Sequence, residues 1–253
     1  MSRVDKVVGM AAFYCGFPPE ICKIIRDSLE IDWRTFGRKR RYLHGHTGAV
    51  YSTAWSFDGT KLATASEDRT VRVWDVTNRF KCISVLEHNQ SVNSVSWSPD
   101  SRFLATGSND KRVYLWRTSD FSIIHSMSDH ARVVRSVCWS PDGAFLAAGG
   151  KEEAIVLWDS KTGTHVRSEH IDLGGSGLDS SSFPVVRVIE ASSSSLWSIA
   201  WSLSGKELAS GSWVDDAVKI WDARTGRHVK SLRGHRSFVC SVAWAHKRDR
   251  IAS

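Results

Sequence analysis

Histidine beside a hydroxyl and a carboxylate is the arrangement that activates a nucleophile, and this sequence holds the three types in order twice: His46, Thr64 and Asp68, then His88, Thr106 and Asp110. Catalysis of that kind needs one exposed constellation beside an oxyanion site. Here the set recurs after 42 residues, each time followed by a tryptophan, Trp74 or Trp116, whose indole N–H can only donate. Repetition with a donor attached reads as structure: a buried Asp and His are tolerated only when their polar atoms are paired, and a satisfied network fixes local geometry. No enzyme is expected. No Gly-rich phosphate loop, paired metal-ligand cluster or cofactor box appears, so neither a cofactor nor a metal is expected. The five cysteines (Cys15, Cys22, Cys82, Cys138, Cys240) are odd in number and form no C-x-x-C pair. That argues against a disulfide framework or zinc ribbon and suits a reducing compartment, cytoplasmic or nuclear.

The 253 residues are 42% hydrophobic and 24% charged, the balance of an ordinary globular protein. A net charge of +7 permits acidic partners, but the basic residues are too dispersed to argue for direct nucleic-acid binding. The longest apolar stretch, residues 7–17, is too short to cross a bilayer. It has the length of a signal-peptide core, but no small-x-small cleavage site closes it and Pro18-Pro19 follows at once.

The elements that must position these side chains follow from a fixed period. Trp55, Trp97, Trp139, Trp201 and Trp244 are separated by 42, 42, 62 and 43 residues; Trp74, Trp116, Trp158 and Trp221 by 42, 42 and 63. His46, His88 and His130 keep the same beat. Within the first unit, residues 50–56 (VYSTAWS), 61–66 (KLATAS) and 70–75 (TVRVWD) are β-branched and aromatic runs separated by turns, and residues 80–86 make a fourth. Four short antiparallel strands per period make one blade, and such blades stack radially into a propeller.

Gly45-His46 and Trp74-Asp75, with Ser98-Pro99-Asp100 and Ser140-Pro141-Asp142-Gly143 in register, resemble the signature of the WD40-repeat β-propellers. The resemblance implies an all-β fold: residues 1–37 as an N-terminal extension, 38–253 as the propeller, blades near 45–86, 87–128, 129–169 and 195–233, a partial fifth at 234–253, and an insertion near 170–194. It also implies that His, Ser/Thr, Asp and Trp of each blade form a buried hydrogen-bonded tetrad: His46, Thr64, Asp68 and Trp74, then His88, Thr106, Asp110 and Trp116. The third blade keeps His130 and Trp158 but has Ala148 and Glu152 at the other places, and the fourth has Ser192 for its histidine, so both are expected to lean on apolar packing. Most relatives close seven blades. This sequence stops at Ser253, which aligns with Thr64 in mid-strand, so a truncated ring or completion by another chain is expected.

The longer interval between the third and fourth blades falls on Gly174-Gly175-Ser176-Gly177 and serine runs, a flexible composition read as a surface insertion, with residues 185–189 (VVRVI) able to form a strand. Residues 18–29 place Ile21, Ile24, Ile25 and Leu29 at helical spacing behind Pro18-Pro19, predicting a short amphipathic helix. The basic run Arg38 to Arg41 fits an outer strand before Gly45-His46, or an import signal.

By the same resemblance the protein is a non-catalytic scaffold for protein partners, met at the top face. The contact positions are the start of each inner strand and the residue before the tetrad Asp: Tyr51 and Glu67, Asn93 and Asn109, Arg135 and Lys151, Trp197 and Val214, then Phe238 and Cys240. Exposed aromatics beside cations point to a peptide or protein ligand with acidic character. Trp221-Asp222-Ala223-Arg224 resembles the WDxR box of cullin-RING substrate receptors, with Asp222 and Arg224 as docking residues. A subunit role in an RNA-processing or nuclear particle is the third reading, without an RNA-binding signature of its own.

Overall fold

The computed structural model describes residues 42–160, 185–191, 195–245 and 250–253. The expected helix at 18–29, the basic run Arg38 to Arg41, Ser192 and most of the insertion lie outside the described residues. Those described form strands and turns and no helix.

Four antiparallel sheets follow in chain order. The first is β1 (Val50–Trp55), β2 (Lys61–Ser66), β3 (Thr70–Asp75) and β4 (Lys81–Glu87). The second is β5 (Val92–Trp97), β6 (Phe103–Ser108), β7 (Val113–Arg117) and β8 (Ile123–Met127). The third is β9 (Val134–Trp139), β10 (Phe145–Gly150), β11 (Ala154–Asp159) and β12 (Val185–Glu190). The fourth is β13 (Leu196–Trp201), β14 (Glu207–Ser212), β15 (Ala217–Asp222) and β16 (His228–Arg233), and a two-stranded pair, β17 (Ala243–Trp244) and β18 (Ile251–Ala252), begins a fifth. The outer strand of the third sheet is β12, inside the stretch 170–194 read from sequence as insertion. The extra length therefore falls between β11 and β12, within the third blade. Tyr42 and Leu43, which follow that basic run, are in no strand, and Leu43 packs against Leu62, Trp74 and Val76.

The turn between first and second strands explains the recurrent Ser and Asp. Ser56 Oγ donates to Asp58 Oδ1 (2.5 Å), Ser98 to Asp100 (2.6 Å) and Ser140 to Asp142 (2.6 Å). Each serine oxygen in turn accepts the N–H that opens the next strand, from Lys61, Phe103 or Phe145 at 2.8–2.9 Å. Gly59, Gly143 and Gly205 all take φ near 68°, the left-handed conformation in which a side chain is strained.

The apolar core lies between successive blades. Val71, Val73 and Leu86 meet Val92, Val95 and Trp97; Val113, Leu115 and Met127 meet Val134, Val137 and Trp139; Ile155, Leu157 and Ile189 meet Leu196, Ile199 and Trp201. One polar contact recurs across every joint. Val95 N–H donates to Ser52 Oγ (3.3 Å), Val137 to Ser94 (3.0 Å), Ile199 to Ser136 (3.2 Å) and Val242 to Ser198 (3.0 Å). Opposite each of these serines the second strand carries a small residue, Ala65, Gly107, Gly149 or Gly211. A Cβ on Gly107 would stand 2.7 Å from Val134 Cγ1 and 3.0 Å from Val137 Cγ1, so the next blade approaches through that missing carbon. Gly107→Ala is therefore expected to lower stability by about 1–3 kcal/mol through overpacking, read as a lower urea midpoint with an unchanged slope.

Candidate functional site

The first blade's four polar residues form one network. His46 Nδ1 lies 2.8 Å from Asp68 Oδ2 and Nε2 lies 2.7 Å from Thr64 Oγ1, while Trp74 Nε1 donates to the same hydroxyl (3.0 Å). An ionised Asp68 can only accept, so Nδ1 carries the proton and Nε2 accepts from Thr64. Asp68 also takes Thr47 N–H (2.9 Å) and Thr70 Oγ1 (2.6 Å). Desolvation would raise its pKa, but hydrogen bonds from Thr70, Thr47 and His46 outweigh it and hold it down at about 2. This carboxylate supports the fold above the usual Asp pKa, and its contribution is lost as pH falls towards 2.

The second blade departs from the expected tetrad at Asp110. His88 Nε2 meets Thr106 Oγ1 (2.8 Å) and Trp116 Nε1 donates to that hydroxyl (3.1 Å). The other ring nitrogen, Nδ1, faces the Leu86 carbonyl (3.2 Å), and Asp110 instead accepts from Tyr114 OH (2.7 Å). The cause is Tyr114, two residues before Trp116 and so on the same strand face. Its phenol reaches the carboxylate, and its ring meets His88 edge-on at 4.9 Å.

The third and fourth blades hold more polar structure than their sequences promise. Glu152, one methylene longer than Asp, contacts His130 Nδ1 and accepts Ala131 N–H (2.9 Å). With Ala148 offering no hydroxyl, Trp158 Nε1 donates to Asp129 Oδ2 (3.1 Å), a residue the sequence reading missed. His130 Nε2 is left buried without a partner. In the fourth blade Trp221 Nε1 donates to Ser210 Oγ (2.9 Å), and Asp215 is held by Ser212 Oγ (2.8 Å) and Lys219 Nζ (2.9 Å). His235 Nε2 meets Ser253 Oγ at 2.6 Å, repeating the His46–Thr64 contact in the fifth. Among the described residues these sets are spread one per blade.

Solvent-facing chemistry gathers at one end of the sheets. The pairing of first and second strands slips once per blade, at Tyr51, Asn93, Arg135 and Trp197. A bulge of this kind re-aims the extra side chain, here towards the rim formed by the β2–β3 turn and its counterparts. The partner position is fixed by one repeated backbone bond: Glu67 N–H to Ala49 O (2.8 Å), Asn109 to Ser91 (2.9 Å), Lys151 to Val133 (2.8 Å) and Trp213 to Ser195 (3.0 Å). In the fourth blade that residue is Trp213, not the Val214 expected from counting back from Asp215. The turn there is one residue longer: Asp215 N–H bonds the serine three residues before it, whereas Asp68 and Asp110 bond the serine two before.

Each rim pair has different chemistry. Tyr51 is half exposed, and desolvation with the Glu67 carboxylate raises its pKa. Asn93 Nδ2 donates to Asn109 Oδ1 (2.8 Å) and to Val134 O (2.7 Å). The Arg135 guanidinium lies 3.9 Å from the centre of the Trp197 ring. Trp197 stacks on Trp213 (5.4 Å, 28°), and Trp213 on Phe238 (4.3 Å, 17°). Val214 is 66% exposed beside them, and Cys240 is exposed. At the opposite end of the fourth sheet Arg224 is exposed, while Asp222 Oδ1 takes Thr225 N–H (2.6 Å) and Oγ1 (2.8 Å). Asp75 caps the first blade's turn through Thr77 in the same way, so Asp222 Oδ1 serves a turn that recurs between blades.

Blades of four antiparallel strands, joined inner strand to inner strand, define a β-propeller architecture. The family described as WD40: WD domain, G-beta repeat matches residues 37–75, 80–117, 121–159, 183–222 and 226–253, and the chain belongs to that family. WD repeats serve in general as non-catalytic scaffolds for protein interaction. The chain is 45% identical over 47 residues to nucleoporin SEH1 of Saccharomyces cerevisiae, covering 18% of this chain and 14% of that protein. It is 31% identical over 71 residues to the ubiquitin homeostasis protein lub1 of Schizosaccharomyces pombe (28% and 10%), and 43% identical over 44 residues to the mRNA export factor of Sus scrofa (17% and 12%). It thus spans a small fraction of the curated relatives it matches. Among the described residues no helix is long and apolar enough to cross a membrane.

Two outcomes follow from the histidines. Ala148→Ser places a hydroxyl where Thr64, Thr106 and Ser210 stand and gives His130 Nε2 a partner, so stability is expected to rise by about 1 kcal/mol in urea unfolding. Burial pulls the His88 pKa down to about 4 from 6.5, against the opposing Leu86 carbonyl and Asp110. The unfolded chain then binds the extra proton, and stability falls as pH drops from 6.5 towards 4. His88→Gln, which carries no proton, is expected to show a shallower loss across that window when urea midpoints are compared at each pH.

Proposed function

We propose that the chain is a protein-interaction scaffold within a multiprotein complex and that its partners meet the rim where the bulged residues emerge. One observation carries this reading: the backbone is the same at each bulge, yet the side chain it presents changes from Tyr51 to Asn93 to Arg135 to Trp197. Positions that only hold blades together repeat their chemistry, as Ser52, Ser94, Ser136 and Ser198 do. Tyrosine, arginine and tryptophan are also the types that dominate binding energy at interfaces.

A cytoplasmic or nuclear setting fits the free Cys82, Cys138 and Cys240, and two of the matched relatives carry names from nuclear transport. Replacing Tyr51, Arg135 and Trp197 together by alanine is expected to abolish capture of partners from a cell lysate while leaving thermal unfolding within a few degrees of the parent. Unchanged capture by a folded triple variant would contradict the proposal.

A further inference from the structure

The rim between the third and fourth blades carries a cation pair and an aromatic face side by side. Arg135 is the bulge residue of β9, and Lys151 follows β10 with its N–H on the Val133 carbonyl, so the two cations occupy one end of neighbouring strands. At the same two positions the second blade has Asn93 bonded to Asn109, a neutral and satisfied pair. Two like charges on adjacent strands repel. Among the described residues neither Arg135 nor Lys151 makes an ion pair, and Arg135 Nε is buried without a hydrogen-bond partner. An anion placed at this end of the two strands is attracted by both cations.

Directly alongside, Trp197, Trp213 and Phe238 form a continuous stack with Arg135 at its head. Trp213 is 49% exposed and Phe238 42%, a flat apolar surface suited to another ring. We propose that this quadrant binds a short acidic–aromatic peptide segment, with a Glu or Asp carboxylate on Arg135 and Lys151 and a neighbouring aromatic or proline ring on Trp213. One indole separates the cation from Trp213, a gap that about two to three residues of extended peptide cover. This identifies a ligand class for one part of the rim and rests on the rim reading above. Single-stranded nucleic acid also combines anion and ring, but a polyphosphate carries a charge on every nucleotide and meets the exposed Glu153 and Asp216 on these same loops, whereas a peptide needs only one carboxylate, set on Arg135 and Lys151.

The test is to pan a phage-displayed random dodecapeptide library against the purified 253-residue chain, then to measure the enriched peptides and a labelled oligouridylate by fluorescence anisotropy. The expected result is enrichment of peptides with Asp or Glu within a few residues of an aromatic or proline. Their binding should weaken about tenfold in Trp213→Ala and in Lys151→Glu and stay unchanged in Tyr51→Ala. Peptides that depend on Tyr51 or Asn93 instead would overturn this assignment and leave the rim reading standing. No enrichment, or binding indifferent to every rim variant, would overturn both. Oligouridylate binding that is tighter than any peptide and lost in Trp213→Ala would replace the peptide by a single strand.

Discussion

Everything else in the molecule depends on the joint between successive inner strands. At each joint a main-chain N–H of one blade is received by a serine of the blade before it, and a second strand with no side chain, or only a methyl group, lets the two approach. The hydrogen bond sets the register and the small residue sets the distance. Valine, isoleucine and tryptophan side chains then fill the space between the sheets without choice of position. Because the joint is the same four times, the ends of the sheets fall at equivalent places, and the bulged residues form a rim.

The polar networks act one level down, within a blade. They tie the loop before the inner strand to the second and third strands through a histidine and an indole N–H. The first blade does so with a complete set, while the second turns its carboxylate to Tyr114 and the third reaches the histidine with Glu152 and the tryptophan with Asp129. What the blades share is the demand that buried donors and acceptors be met, and different residues meet it. The rim is held less tightly by this constraint: Asn93 bonds the Val134 carbonyl of the next blade, while Tyr51 stands half exposed at the equivalent position. That freedom lets four equivalent backbone positions carry a phenol, an amide, a guanidinium and an indole.

Much of this was legible in the sequence, because a fixed tryptophan interval can only come from a repeated unit, and alternating β-branched runs place each strand to within a residue or two. Trp74 and Trp116 mark third strands on that ground alone, and Tyr51, Asn93, Arg135 and Trp197 fall at the starts of inner strands. What was not legible required knowing which atoms meet. Asp110 has the right spacing and is diverted by a phenol four residues on. Trp213 was passed over because counting back from Asp215 assumes a turn of constant length, and the fourth blade's turn is one residue longer. The strand β12 was blurred by the separation between it and β11, since periodicity fails when an insertion falls inside the unit rather than between units.

The central claim is that an invariant frame presents a variable reading surface at one end of its sheets. Hydrogen–deuterium exchange of the chain alone and with a captured partner tests it most directly. The account predicts new protection at the rim, in the segments holding Tyr51, Arg135, Trp197 and Trp213, with the middle strands unchanged. Protection confined to the opposite turns, around Asp58 and Arg224, would contradict it.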